Sequence, residues 1–231
     1  MYDVDTEYYF RFVLQHALKY HPKTDLILIT GDLTQFPDSS CYQRILKELK
    51  KTNIPCICLP GNHDDWQLMM NLLNAENVSC NKQASIDHWK IICLNSQKPG
   101  KDGGWLAESE LSFLDQELSK HIEKHILIAV HHNCLPTGSV WMDTMTIENS
   151  TELLTILKRY PQVKAVIHGH THQEQESKID NLKILSTPST CFQFKPKSKN
   201  FVLDDTLPGY RCLYLHPQGK ITTEVVRVEV K

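Results

Sequence analysis

Apolar residues at Phe10, Val13, Leu14, Ala17 and Leu18 recur at helical spacing, and His21-Pro22 ends the run, so the chain opens on a helix. The next apolar stretch has no such period. Residues 25–30 form a short, continuous β-favouring run, which predicts a strand buried on both faces and ending at Gly31-Asp32. The alternation then repeats, with helices predicted at about 40–51, 66–74, 107–119 and 152–160 and strands at about 55–59, 89–95, 125–130 and 163–167. The tail is β-rich, with strands predicted at 183–186, 209–215 and 221–230. This order predicts an α/β fold over one domain, residues 1–231, in which a second sheet packs on the first: a layered β-sandwich flanked by helices.

Composition narrows the function classes. With 41% apolar and 23% charged residues among 231, the chain is neither disordered nor fibrous. A net charge of −2 offers no basic surface for nucleic acid or an anionic membrane, so any phosphate must be held locally. The longest apolar runs, 26–29 and 126–130, fall far short of the roughly 20 residues of a membrane helix. The opening residues 1–7 are acidic where an export signal is basic and then apolar, so the expected location is the cytoplasm. In that compartment the eight cysteines are expected to be free thiols, five of them (Cys56, Cys58, Cys93, Cys191, Cys212) in apolar or β-patterned segments.

The chemistry lies where the strands stop. Asp32, Asn62-His63, His131-His132 and the run His168-Gly169-His170-Thr171-His172 each follow a predicted strand, which gathers them at one edge of the sheet. One carboxylate, one amide and several imidazoles suit a divalent transition metal better than magnesium or calcium. Singly, each motif also reads as a turn, a cap or a surface loop. Together and in order, Gly31-Asp32, Gly61-Asn62-His63-Asp64, His131-His132 and Gly169-His170-Thr171-His172 resemble the calcineurin-like metallophosphoesterases. Within them the likeness is nearest to bacterial class III 3',5'-cyclic-AMP phosphodiesterases. It is carried by Gly31 to Gln35, Leu59 to Asp64, Leu135-Pro136, Trp141-Met142-Asp143, the stretch Thr187 to Pro196, Asn200-Phe201 and Pro208 to Arg211.

That resemblance implies two divalent ions, iron or manganese, bridged by Asp32, with Asn62, His131 and His170 completing one site and His172 belonging to the other. It implies that His63 is catalytic, that Asp32, Asn62, His63 and His172 face the substrate, and that a small cyclic nucleotide is opened to 5'-AMP. Another phosphodiester, or an impaired homologue, are the alternatives. The family's first motif, Asp-x-His at the end of an N-terminal strand, has no counterpart, since Val4-Asp5-Thr6 already resembles the entry into the first helix. The expectation is therefore a fold without its first strand and a first metal site reduced to Asp32 and His172, hence weak. A start upstream of Met1 and a true truncation both fit that pattern. Asp3 and Asp5 precede a helix and are not assigned as ligands, and His132 and His168 are expected to support the site. Phe192 and Phe194 would flank an adenine or pack in the core.

Overall fold

In the computed structural model, which describes residues 1–230, the chain begins on α1 (Thr6–Tyr20). The Asp5 carboxylate accepts the Tyr8 N–H at 3.0 Å and caps that helix, which accounts for an acidic residue there without a ligand role. The first strands, β1 (Ile27–Ile29), β2 (Cys56–Cys58) and β3 (Val78–Ser79), pair in parallel in that order. Between them run α2 (Ser39–Lys50) and α3 (Trp66–Leu72), whose Tyr42, Leu49 and Met69, with Leu73 just after α3, are buried against Cys56, Cys58 and Val78.

A larger sheet follows. It is built from β4 (Gln83–Ile86), β5 (Trp89–Leu94), β6 (His125–Val130), β7 (Val163–His168), β8 (Glu176–Ile179) and β9 (Leu182–Ser186), in the order β4-β5-β6-β7-β9-β8. The four central strands are parallel and the two outer ones antiparallel. A parallel centre is covered on both faces, which is why residues 91–94 of β5 and 126–130 of β6 read as unbroken apolar runs. On one face α4 (Glu108–Lys120) and α5 (Ser150–Lys158) bury Leu114, Leu118, Leu153 and Leu157 against Ile92, Ile126, Ile128 and Val166. Ile128 is fully enclosed. Ile128→Ala is expected to cost about 2–5 kcal/mol, read as a lower denaturant midpoint at unchanged slope. A loss below about 1 kcal/mol would mean that this layer is not the core.

On the other face Ile91, Leu127, Ala129, Ala165 and Ile167 meet Ile57 and Leu59 together with Ile221, Leu213 and Leu215. The last three come from the antiparallel ribbon β12 (Gly209–Leu215) and β13 (Ile221–Arg227), which follows the short pair β10 (Gln193–Phe194) and β11 (Leu203–Asp204). The fold is thus an α/β sandwich of two strand layers with helices outside. The second layer is in two pieces, and this corrects one expectation. All three residues of β1 are only half-buried, whereas those of β2 are buried, because among the described residues β1 is an edge strand with nothing paired beyond it. All eight cysteines are free thiols, but Cys191 and Cys212 are only half-buried. No helix among the described residues is long and apolar enough to cross a membrane.

Candidate metal centre and active site

Asp32 follows β1, Asn62 and His63 follow β2, His131 follows β6, and His170 and His172 follow β7, so both layers deliver polar side chains at the carboxyl ends of their strands. His131 is the hub. Its Nδ1–H donates to the Thr30 carbonyl at 2.7 Å, which leaves Nε2 as the lone-pair atom of the neutral ring. Around that Nε2 lie Asp32 Oδ2, Asn62 Oδ1 and His170 Nδ1, each at 3.2 Å. The two oxygens are acceptors, and they repel a lone pair at Nε2 unless a proton or a cation sits among them. His170 Nε2 is also buried without a hydrogen-bond partner among the described residues, a costly arrangement for a purely structural histidine. Oxygen and imidazole donors in this mixture fit a divalent transition metal.

Burial and neighbouring charge set the protonation of these groups. Burial opposes charge on Asp32, yet His131 and His170 outweigh it and hold the carboxylate well below its usual pKa. Burial likewise opposes an imidazolium at His131, and the Asp32 carboxylate overcomes it and raises that pKa. Burial, with the neighbouring rings of His132 and His131, drives His170 far down and keeps it neutral, the form in which imidazole donates a lone pair. His172 is lowered to about 4, chiefly by burial. Its Nδ1–H donates to the Phe192 carbonyl at 2.9 Å, and its ring stacks on Phe194 at 4.3 Å. His172 lines the same cavity as Asp32 and His63, but no hydrogen bond among the described residues ties it to the Asp32–Asn62–His131–His170 group.

The nitrogens of His131, His132 and His170 fall within 4.8 Å of one another, so distance alone makes His132 a third ligand. Its bonding argues otherwise. Nε2–H donates to the Asp102 carbonyl at 3.1 Å and Nδ1 accepts from the Ser96 hydroxyl at 2.7 Å, so neither nitrogen keeps a lone pair for a metal. His168 uses Nδ1 on the Gly169 carbonyl at 3.1 Å, and burial lowers its pKa to about 4.

His63 stands beside the group. Its backbone N–H donates to Asp32 Oδ1 at 3.1 Å, while its ring Nδ1 meets the Gln35 amide Nε2 at 3.1 Å. With the amide donating, the ring proton sits on Nε2. Gln35 figures in the sequence only as part of a motif, and this contact across 28 residues sets its amide against the His63 ring. Asp64 likewise figures only as part of a motif. Its buried carboxylate accepts from the backbone of Gly61 (2.9 Å) and Leu33 (3.1 Å) and from the Tyr42 hydroxyl (3.1 Å), tying the loop after β1 to the loop after β2. Burial raises its pKa to about 6 despite those donors.

The loops are held in costly backbone shapes. Asp32, His170 and His172 have φ of 55°, 57° and 47°, in the left-handed region that side chains disfavour. Gly61 lies so close to the Asp32 carboxyl and amide that a methyl group there would occupy the same space. Gly61→Ala is therefore expected to lower manganese affinity by tenfold or more in calorimetric titration while far-UV circular dichroism stays unchanged. Unaltered affinity would show that Asp32 is not held where its binding role requires.

Comparison with known proteins places this geometry. The calcineurin-like phosphoesterase family profile matches residues 5–174. A 3',5'-cyclic adenosine monophosphate phosphodiesterase from Escherichia coli (strain K12) is 39% identical over 226 residues, 97% of this chain and 82% of that protein. A 3',5'-cyclic-nucleotide phosphodiesterase from Nostoc is 37% identical over 225 residues, 97% of this chain and 85% of its own length. Among solved structures, a dimetal phosphatase from Danio rerio superposes with a TM-score of 0.66 at 12% identity, covering 94% of this chain and 88% of that one, a likeness of fold. With a family profile matching residues 5–174 and relatives of this closeness along nearly its whole length, the chain belongs to the calcineurin-like phosphoesterase family.

Proposed function

We propose that the chain is a metal-dependent phosphodiesterase that opens 3',5'-cyclic AMP to 5'-AMP, working as one domain across residues 1–231 in the cytoplasm. The observation that carries this reading is the convergence of Asp32, Asn62 and His170 on His131 Nε2, all at 3.2 Å. The names of the Escherichia coli and Nostoc relatives support the substrate class. Asp32, Asn62, His131 and His170 would hold one divalent ion, and Asp32 with His172 a second. Iron or manganese suits an imidazole-rich set. Such ions, when bound, neutralise phosphate oxygens and lower the pKa of water toward neutrality. The protein's own part is to fix Asp32 and His131 through backbone contacts and to present His63 Nε2–H to the phosphoryl group, where it donates its proton to the departing 3' oxygen.

A second reading is an impaired homologue. Among the described residues the second ion has only Asp32 and His172 to hold it, and His172 has no hydrogen bond to the other ligands. One experiment separates the readings: purified chain with manganese or ferrous iron, assayed on cyclic AMP, cyclic GMP and bis(p-nitrophenyl) phosphate, with His63→Ala as the control for contaminating enzyme. Cyclic AMP turnover that vanishes in the variant is the expected result. Folded protein that turns over none of the three overturns the phosphodiesterase reading, and equal rates on all three overturn the cyclic AMP assignment.

A further inference from the structure

α1 and the ribbon β12–β13 pack on each other. In β12, Leu213 and Leu215 turn down to the large sheet, so strand alternation places Tyr210, Cys212 and Tyr214 on the opposite face. The end of α1 lies over that face. His16 Nδ1 meets the Tyr210 hydroxyl at 3.2 Å, and the His21 ring stands edge-on to the Tyr210 ring at 5.6 Å. Cys212 is paired directly with Glu224 across the β12–β13 ladder, which puts both side chains on the face that α1 approaches.

Three donors of different chemistry converge there. His21 Nε2 lies 3.5 Å from Cys212 Sγ, and these two atoms and a Glu224 carboxylate oxygen all fall within 4.8 Å of one another. Each is held from behind. The His21 N–H donates to the Ala17 carbonyl at 2.8 Å and its own carbonyl accepts the Thr24 hydroxyl at 2.8 Å, which fixes the backbone where α1 ends. The Tyr214 hydroxyl donates to Glu224 Oε1 at 2.7 Å and orients the carboxylate, while the ladder holds Cys212. Bonds of about 2.3 Å to sulfur and about 2.0 Å to nitrogen at a tetrahedral zinc ion put those two ligand atoms about 3.5 Å apart, which is the separation found.

We propose that His21, Cys212 and Glu224 form a separate zinc site that clips the end of α1 to the C-terminal ribbon, with water in the fourth position. Thiolate and imidazole together select zinc over the harder ions. Burial, and then the Glu224 carboxylate, push the Cys212 thiol up to about 11, so without an ion the sulfur keeps its proton. Zinc displaces that proton to solvent, and the thiolate and the carboxylate then balance its two charges. His21 and Cys212 stand 191 residues apart, so the ion ties together segments that only the folded chain brings near. The site shares no residue with Asp32, Asn62, His131, His170 or His172, and it does not depend on the reaction the metal centre performs.

The test adds cobalt(II) to the reduced, chelator-treated chain and to its Asp32→Ala variant. A thiolate-to-cobalt charge-transfer band in the near ultraviolet is expected at equal strength in both, because the catalytic ligand set contains no sulfur. Zinc should abolish the band and raise the Tm of Asp32→Ala by about 5 °C. Cys212→Ser should remove the band, and His21→Ala and Glu224→Gln should each weaken cobalt binding at least tenfold, with far-UV circular dichroism unchanged. Glu224 is exposed, so its variant reads the site even where another substitution disturbs the fold. No charge-transfer band in large excess of cobalt overturns the proposal. So does a band that survives Cys212→Ser, which would place the thiolate at another cysteine, or an affinity that neither His21→Ala nor Glu224→Gln changes.

Discussion

Asp32→Ala is expected to lose both metal and turnover, the latter by about 10³-fold or more. Among the described residues Asp32 is the one carboxylate in contact with the hub, Oδ2 lying 3.2 Å from His131 Nε2 while Oδ1 accepts the backbone N–H of His63. Removing it takes away the negative charge that offsets an ion among neutral donors, and it frees the loop that carries Asn62 and His63. Asp32→Asn separates these effects, because an amide oxygen keeps the His63 contact without the charge. That variant is expected to keep the fold and still bind at least tenfold less manganese at matched concentration, measured by elemental analysis after gel filtration. Full metal content in Asp32→Ala would place the bridge elsewhere, and His172 would then need a different neighbour.

Why Asp32 could be found in the sequence at all is a matter of contrast. A polar residue that follows an unbroken apolar run stands at the end of a buried strand, and Asp32, Asn62, His131 and His170 all meet that description. The same contrast fixed β5, β6 and β7, whose residues are buried almost throughout. It failed for β4 and β8, outer strands of four residues each, the first half-exposed and the second mostly exposed, with polar faces and no apolar run to see. It also failed for the burial of β1, because an apolar run gives no sign of whether a partner strand lies beyond its edge.

Roles assigned by distant contacts were not legible either. His131 and His132 are the same letter side by side. Thr30, about 100 residues away, fixes the first as a lone-pair donor, while Ser96 and Asp102 use up both nitrogens of the second. Asp64 reads as one more acid in a motif until the amides of Gly61 and Leu33 converge on it. The Phe192 and Phe194 alternatives resolve partway: both rings are half-buried and pack on His172, at 5.2 Å and 4.3 Å, at the edge of the cavity.

His63→Ala should part chemistry from metal binding. Its ring has Gln35 as its side-chain partner, at 3.1 Å, and its link to Asp32 runs through the backbone N–H, which alanine retains. Metal content is therefore expected to stay within about twofold of the parent, and kcat on cyclic AMP to fall by about 10²–10⁴-fold, the range for loss of a placed general acid. The size of the loss should depend on the leaving group. A sugar hydroxyl departs as a strong base and needs the Nε2 proton, whereas p-nitrophenolate leaves without help, so the same variant should lose at least tenfold less on bis(p-nitrophenyl) phosphate. Gln35→Ala, which releases Nδ1 and lets the proton move to it, should repeat that leaving-group pattern in weaker form. Equal losses on both substrates would make His63 a binding residue for the phosphoryl group, and loss of metal in His63→Ala would make it a ligand.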